Sequence, residues 1–177
     1  ATDRTHALTL YLSSSAPDRL DLLKTELTRA KADPVAWENF LAAVAASSSP
    51  DTVRYLRYIE QSGNLHIEQA GESRSLYLRF AANRKISLET EEGREFLSDS
   101  LTTLARVNEY ISTGILNVFS HLDSYEDTVR DACFAILTNL INTVPETEAP
   151  SVIRTARRIL QKSPKAKEAY DQAHRST

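Results

Sequence analysis

Four histidines, at positions 6, 66, 121 and 174, and one cysteine, Cys133, are the side chains best suited to metal binding or nucleophilic chemistry. No two histidines stand four residues apart. The H-E-x-x-H pattern, which aims two imidazoles at one metal from a single helical face, is therefore absent. His66-Ile67-Glu68 matches the H-x-E half of a zinc deaminase, but the cysteine pair that chemistry requires does not exist; an exposed loop histidine is the plainer reading. Gly71-Glu72-Ser73-Arg74-Ser75 resembles a nucleophile elbow without its second glycine, and no strand precedes it, so a loop and helix cap are expected there. No glycine-rich phosphate loop is present. Cys133 falls inside an apolar helical stripe and reads as a buried, inert thiol. Trp37 and Phe40 read as core. No catalytic, cofactor-binding or metal-binding residue is expected in this chain.

Two charge clusters remain. Glu89, Glu91, Glu92, Glu95 and Asp99 make the middle acidic, while Arg154, Arg157, Arg158, Lys162, Lys165 and Lys167 make the C-terminal region basic. Solvated helix faces account for both. An anionic partner is the sharper reading of the second, which makes Arg154, Arg157, Arg158 and Lys162 the candidate partner surface. Only Tyr170 is interleaved with these cations, so base stacking is unsupported and no nucleic acid is expected.

The elements that carry these residues are helical. Asp33-Pro34, Ser49-Pro50 and Ser163-Pro164 each put a capping side chain before a proline at a first helical position, where proline's missing N–H costs nothing. Ser15-Ala16-Pro17-Asp18 and Thr147-Glu148-Ala149-Pro150 are looser versions. Apolar residues then recur at helical period: Leu20, Leu23, Leu27 and Ala30; Trp37, Phe40, Leu41, Val44 and Ala45; Val53, Leu56 and Ile59, stopped at Gly63. Tyr77, Phe80 and Ala81 mark a helix ending before Lys85. Thr90 caps the next, with Phe96, Leu97, Leu101 and Leu104 as its stripe, and Tyr110 to Phe119 makes a shorter one. A helix from Ser124 to about Thr143 is predicted from a Ser124/Asp127 capping box and an unbroken i, i+3, i+4 series. Val152 to Leu160 and Pro164 to about His174 are the last two.

Composition agrees. Of 177 residues, 41% are hydrophobic, and the four glycines and six prolines are too few for an all-β chain. A net charge of −3 excludes a generally basic nucleic-acid binder, and no run approaches the roughly 18 apolar residues of a membrane span. Eight or nine helices of about 10–20 residues imply an all-α fold, a HEAT/armadillo-like solenoid of irregular antiparallel helix pairs. Residues 1–177 are expected to form a single α-helical domain. The chain contains no methionine, not even at its first position, which points to a C-terminal fragment of a longer protein or a processed product.

An ordered series of segments resembles a known family. Leu41-Ala42-Ala43-Val44-Ala45-Ala46-Ser47 leads to Arg54-Tyr55-Leu56-Arg57-Tyr58, then to Leu65-His66-Ile67-Glu68-Gln69. Phe80-Ala81-Ala82-Asn83, Glu95-Phe96-Leu97 and Gly114-Ile115-Leu116-Asn117-Val118-Phe119 follow in order. The series is similar to the C-terminal helical domain of zinc aminopeptidases of the aminopeptidase N and endoplasmic-reticulum aminopeptidase type. Arg94 and Leu101 stand where that family usually carries tryptophans.

The resemblance implies a bowl of paired helices closing over a neighbouring catalytic domain. It implies a non-catalytic lid or regulatory role for this chain, within a zinc aminopeptidase or an inactive homologue of one. Zinc is then expected only in an upstream domain, and none in this chain. The implied partners are that catalytic domain, a second copy in a homodimer, and peptide substrate only at the cavity wall. The implied setting is extracellular or luminal, on a membrane ectoenzyme. A free-standing HEAT-like adaptor is the alternative. It would be cytoplasmic and would use the basic C-terminal helices on an acidic protein or nucleic acid.

Overall fold

The computed structural model describes residues 2–175, and no strand occurs among them. The chain divides into two compact units, Ala1–Gly93 and Arg94–Thr177.

The first unit is built around α3 (Pro34–Ala45). Its sequence PVAWENFLAAVA is apolar almost all round, as a helix enclosed by neighbours must be. Trp37, Phe40, Leu41, Ala43, Val44 and Ala45 are all buried. Around it pack α1 (Thr2–Leu12), α2 (Arg19–Ala30), α4 (Thr52–Gln61) and a π-helical segment, Arg74–Leu78. That segment joins α5 (Ala70–Ser73) to α6 (Arg79–Ala82), after which α7 (Arg84–Ser87) makes one turn.

Local signals act largely as the sequence predicts. The Asp33 carboxylate accepts the Ala36 N–H at 2.8 Å, with Pro34 at the first helical position. Gly63 has φ +75°, the left-handed stop that follows α4. Thr90 accepts the Gly93 N–H at 3.0 Å and donates to the Ile86 carbonyl at 2.5 Å.

Some starts differ. Pro17 and Pro50 lie in turns, and their helices begin two residues later, at Arg19 and Thr52. The Ser49 hydroxyl instead accepts the Asp51 N–H at 3.1 Å, closing a turn ahead of the helix. α1 is not among the helices that the sequence pattern predicts. Its threonines weaken helical propensity, and among its described side chains only Leu8 and Leu12 are buried.

The second unit contains most of α8 (Glu91–Leu104), then α9 (Glu109–Leu116), a 3₁₀ turn Asn117–Phe119 and another at Leu122–Ser124. α10 (Asp127–Thr143), α11 (Pro150–Gln161) and α12 (Pro164–Arg175) complete it. α10 packs against α11 and α12, and α11 also against α9. Leu137, Leu140, Val152, Ile153 and Ala156 are buried in this unit.

The predicted Ser124/Asp127 box is replaced by Glu126, whose carboxylate accepts from the Thr128 and Val129 N–H groups. Ser124 is spent on the 3₁₀ turn, donating to the His121 carbonyl at 2.7 Å. Two further helix starts are capped from a distance. Glu109 accepts the Ser151 N–H at 2.7 Å and the Val152 N–H at 3.3 Å, at the start of α11. Asp123 accepts the Lys165 and Ala166 N–H groups at 3.2 and 3.0 Å, at the start of α12. The local residues cannot do this. Ala149 has no side-chain acceptor, and the Ser163 hydroxyl donates backwards to the Ile159 carbonyl at 2.8 Å.

Candidate functional site

α11 carries three of the four candidate partner residues, and the fourth follows it directly. Val152, Ile153, Ala156 and Ile159 face inward, so helical geometry turns Arg154, Arg157 and Arg158 outward, with Lys162 exposed just beyond the helix end. The cluster is partly neutralised within its own unit. Glu146, just ahead of α11, takes Arg154 Nε at 2.9 Å on one oxygen and Arg157 Nη1 on the other. These two bonds, Arg154 first, hold the Glu146 carboxyl below its ordinary range. Among the described residues Arg158 reaches only the Thr155 hydroxyl, at 3.4 Å, and Lys167 pairs with Asp171 at 2.6 Å. The acidic residues Glu89, Glu91, Glu92, Glu95 and Asp99 are exposed, as a solvated face should be.

His6, His66, His121 and His174 are exposed, and no group of three or more His, Cys, Asp or Glu among the described residues could hold a metal. Cys133 is buried, and desolvation pushes its thiol up to about 12. Ser73 ends α5, buried, donating to the Ile67 carbonyl at 2.6 Å, so it meets no base. Trp37 and Phe40 are core and stack with centroids 5.5 Å apart.

Two other constellations went unnoticed in the sequence. On the α1 side of the first unit, Glu26 is buried between Arg4, at 2.6 Å, and Arg29, at 3.0 Å. The Arg4 bond chiefly, with Arg29 and against burial, lowers its carboxyl from the ordinary range. A cavity of about 110 Å³ lies beside this triad, against Leu8, Phe40 and Ala43. A second cleft of about 400 Å³ lies between the end of α2, the start of α3 and the 62–72 segment. Lys31, Pro34, Trp37, Asn64, His66 and Glu72 line it. Glu72 accepts the His66 backbone N–H at 2.8 Å and stands 3.4 Å from the His66 Nδ1. Each site also needs residues distant in sequence, Arg4 beside Glu26 and the 64–72 residues beside Lys31 and Trp37, so no single local pattern announces it.

The motifs behind the family resemblance are mainly packing and capping positions. Tyr55, Leu56, Phe80, Ala81, Phe96 and Leu97 are buried. The Asn83 side chain donates to the Ala45 and Ser47 carbonyls at 3.1 and 2.9 Å, closing the C-terminal end of α3. Such residues carry a fold rather than a reaction.

Comparison with known proteins agrees at that level. In the crystal structure of Legionella pneumophila aminopeptidase A in complex with aspartic acid, a segment has this fold. The TM-score is 0.77 at 18% identity, over 91% of this chain and 19% of that one. The present chain thus spans about a fifth of that relative's length. No curated protein sequence matches. A family model described as a domain of unknown function, DUF3458_C, ARM repeats, matches residues 1–161. The all-α, armadillo-like class expected from the helical pattern is therefore the class observed, and the chain belongs to the DUF3458_C family of ARM-repeat domains.

Proposed function

We propose that this chain is the non-catalytic C-terminal helical domain of an aminopeptidase-like zinc metalloprotease, enclosing the substrate cavity and offering a surface for a partner or a second copy. The observation that carries the reading is the family match over residues 1–161, joined to the fold shared with an aminopeptidase. The donor set supports it. Among the described residues no group of three or more His, Cys, Asp or Glu could hold a metal. The metal and its chemistry then belong to an upstream catalytic domain, and peptide meets the present residues only at the cavity wall. An extracellular or luminal setting goes with the same reading. No described helix is long and apolar enough to cross a membrane.

The alternative of a free-standing adaptor draws on the exposed Arg158 and Lys162. Glu146 already engages Arg154 and Arg157, which leaves a weaker basic face than the sequence suggests.

The test is to extend the coding sequence upstream of Ala1 and express the longer protein. The expected result is an H-E-x-x-H segment in the added sequence and zinc-dependent hydrolysis of aminoacyl anilides. Purified 1–177 with zinc is expected to show none. Deleting this domain should alter selectivity for peptide length more than anilide turnover. Hydrolysis by 1–177 alone, or an upstream sequence without a metalloprotease signature, would overturn the proposal.

A further inference from the structure

We infer that the cavity between α1, α2 and α3 binds a short-chain aliphatic monocarboxylate, on a pair of arginines held in place by Glu26. Glu26 is 8% exposed. Its Oε2 accepts from Arg4 Nε at 3.2 Å and from Arg29 Nε and Nη2 at 3.3 and 3.0 Å, while its Oε1 accepts from Arg4 Nη2 at 2.6 Å. Two guanidinium groups from different helices thus meet at one carboxylate oxygen, and each is fixed there by two bonds. A lone surface arginine has no such orientation. Here the buried acid supplies it, so a ligand finds its donors already ordered.

Glu26 does not use up the pair. The Nη1 amino group of each guanidinium makes no hydrogen bond among the described residues. The two side chains are 57% and 47% exposed, within reach of a solute. Of the residues that line the cavity, the charged ones are Arg4, Arg29 and Glu26. Its walls therefore carry one net positive charge, the complement of a monoanion.

The other walls choose the kind of anion. Leu8, Ala36, Phe40 and Ala43 present apolar surface, and the half-buried Asn39 amide beside them makes no hydrogen bond among the described residues. The volume is about 110 Å³. That holds several waters, but falls well below the roughly 300–1,000 Å³ of sites for larger organic ligands. Phosphate or sulfate would turn oxygens against the apolar groups, where an unpartnered polar atom is costly. A short monocarboxylate avoids this cost, with its oxygens toward Arg4, Arg29 and Asn39 and its alkyl tail on Phe40 and Ala43.

The test uses the intact 1–177 chain at constant ionic strength, with the Nε resonances of Arg4 and Arg29 followed by NMR. Butyrate should shift both saturably in the millimolar range, and its uncharged analogue butyramide should leave them unmoved. Inorganic phosphate should bind several-fold more weakly than butyrate. Arg29→Gln keeps the Arg4–Glu26 pair that ties α1 to α2. Read through Arg4, it should weaken butyrate about threefold, as for an ion pair open to solvent. Ala36→Leu, at a half-buried position, fills the cavity while keeping both arginines, and should abolish saturation. An absent or non-saturating shift, an equal response to butyramide, phosphate binding as tight as butyrate, or unchanged butyrate affinity in either variant would overturn the proposal.

Discussion

At the residue scale the chain shows what burial does to reactive groups. Cys133 is the only thiol, and water cannot reach it. Its pKa rises from 9.0 to about 12 because desolvation disfavours the thiolate. The folded chain therefore holds this proton more tightly than the unfolded chain. Its contribution to stability is complete below about pH 9 and is lost as pH rises toward 12. A disulfide reagent at pH 8 should label the unfolded chain quickly and the native chain hardly at all, and Cys133→Ala should flatten the alkaline decline in stability. Gly93 faces a different constraint. A Cβ there would come within 1.7 Å of the Ile86 carbonyl oxygen, which is backbone and cannot swing aside. Gly93→Ala should destabilise by about 1–2 kcal/mol in urea titrations, because a gain of up to about 1 kcal/mol in helix propensity only partly offsets the clash.

At the scale of elements, legibility followed locality. α3 was readable because Asp33, Pro34 and its apolar series all lie within one segment, and α10 to α12 were readable for the same reason. α1 was missed because its partner face is two leucines among threonines. The π-helical stretch Arg74–Leu78 was missed because period arguments assume 3.6 residues per turn. Tyr77 lies within it, buried, donating to Glu60 at 2.8 Å. The starts of α11 and α12 were located correctly, but the groups that satisfy them were not, since Glu109 and Asp123 lie 42 residues ahead of their first partners. Glu109→Ala and Asp123→Ala should each cost about 1 kcal/mol, the usual worth of a helix cap. Chemical denaturation would show this, with fraying at Ser151 or Lys165 visible in amide exchange. Loss of neither stability nor protection would mean that these caps are incidental.

At the scale of the whole molecule, the sequence yielded a fold class, a family and an absence of catalytic constellations. It did not yield the cleft at Trp37, because Lys31, Trp37 and Glu72 look ordinary until three elements converge. The family match ends at residue 161, yet the chain goes on to form α12. That helix is well anchored in the second unit, with Ala166 buried, Tyr170 against Phe134 at 4.9 Å between centroids, and Asp123 at its first turn. The remote caps also impose a direction on assembly. A chain emerges from the ribosome N-terminus first, so the carboxylates of Glu109 and Asp123 are synthesised well before the amides they receive. Each late helix thus meets a waiting acceptor on an earlier part of the polypeptide, and its first turn settles there as synthesis proceeds.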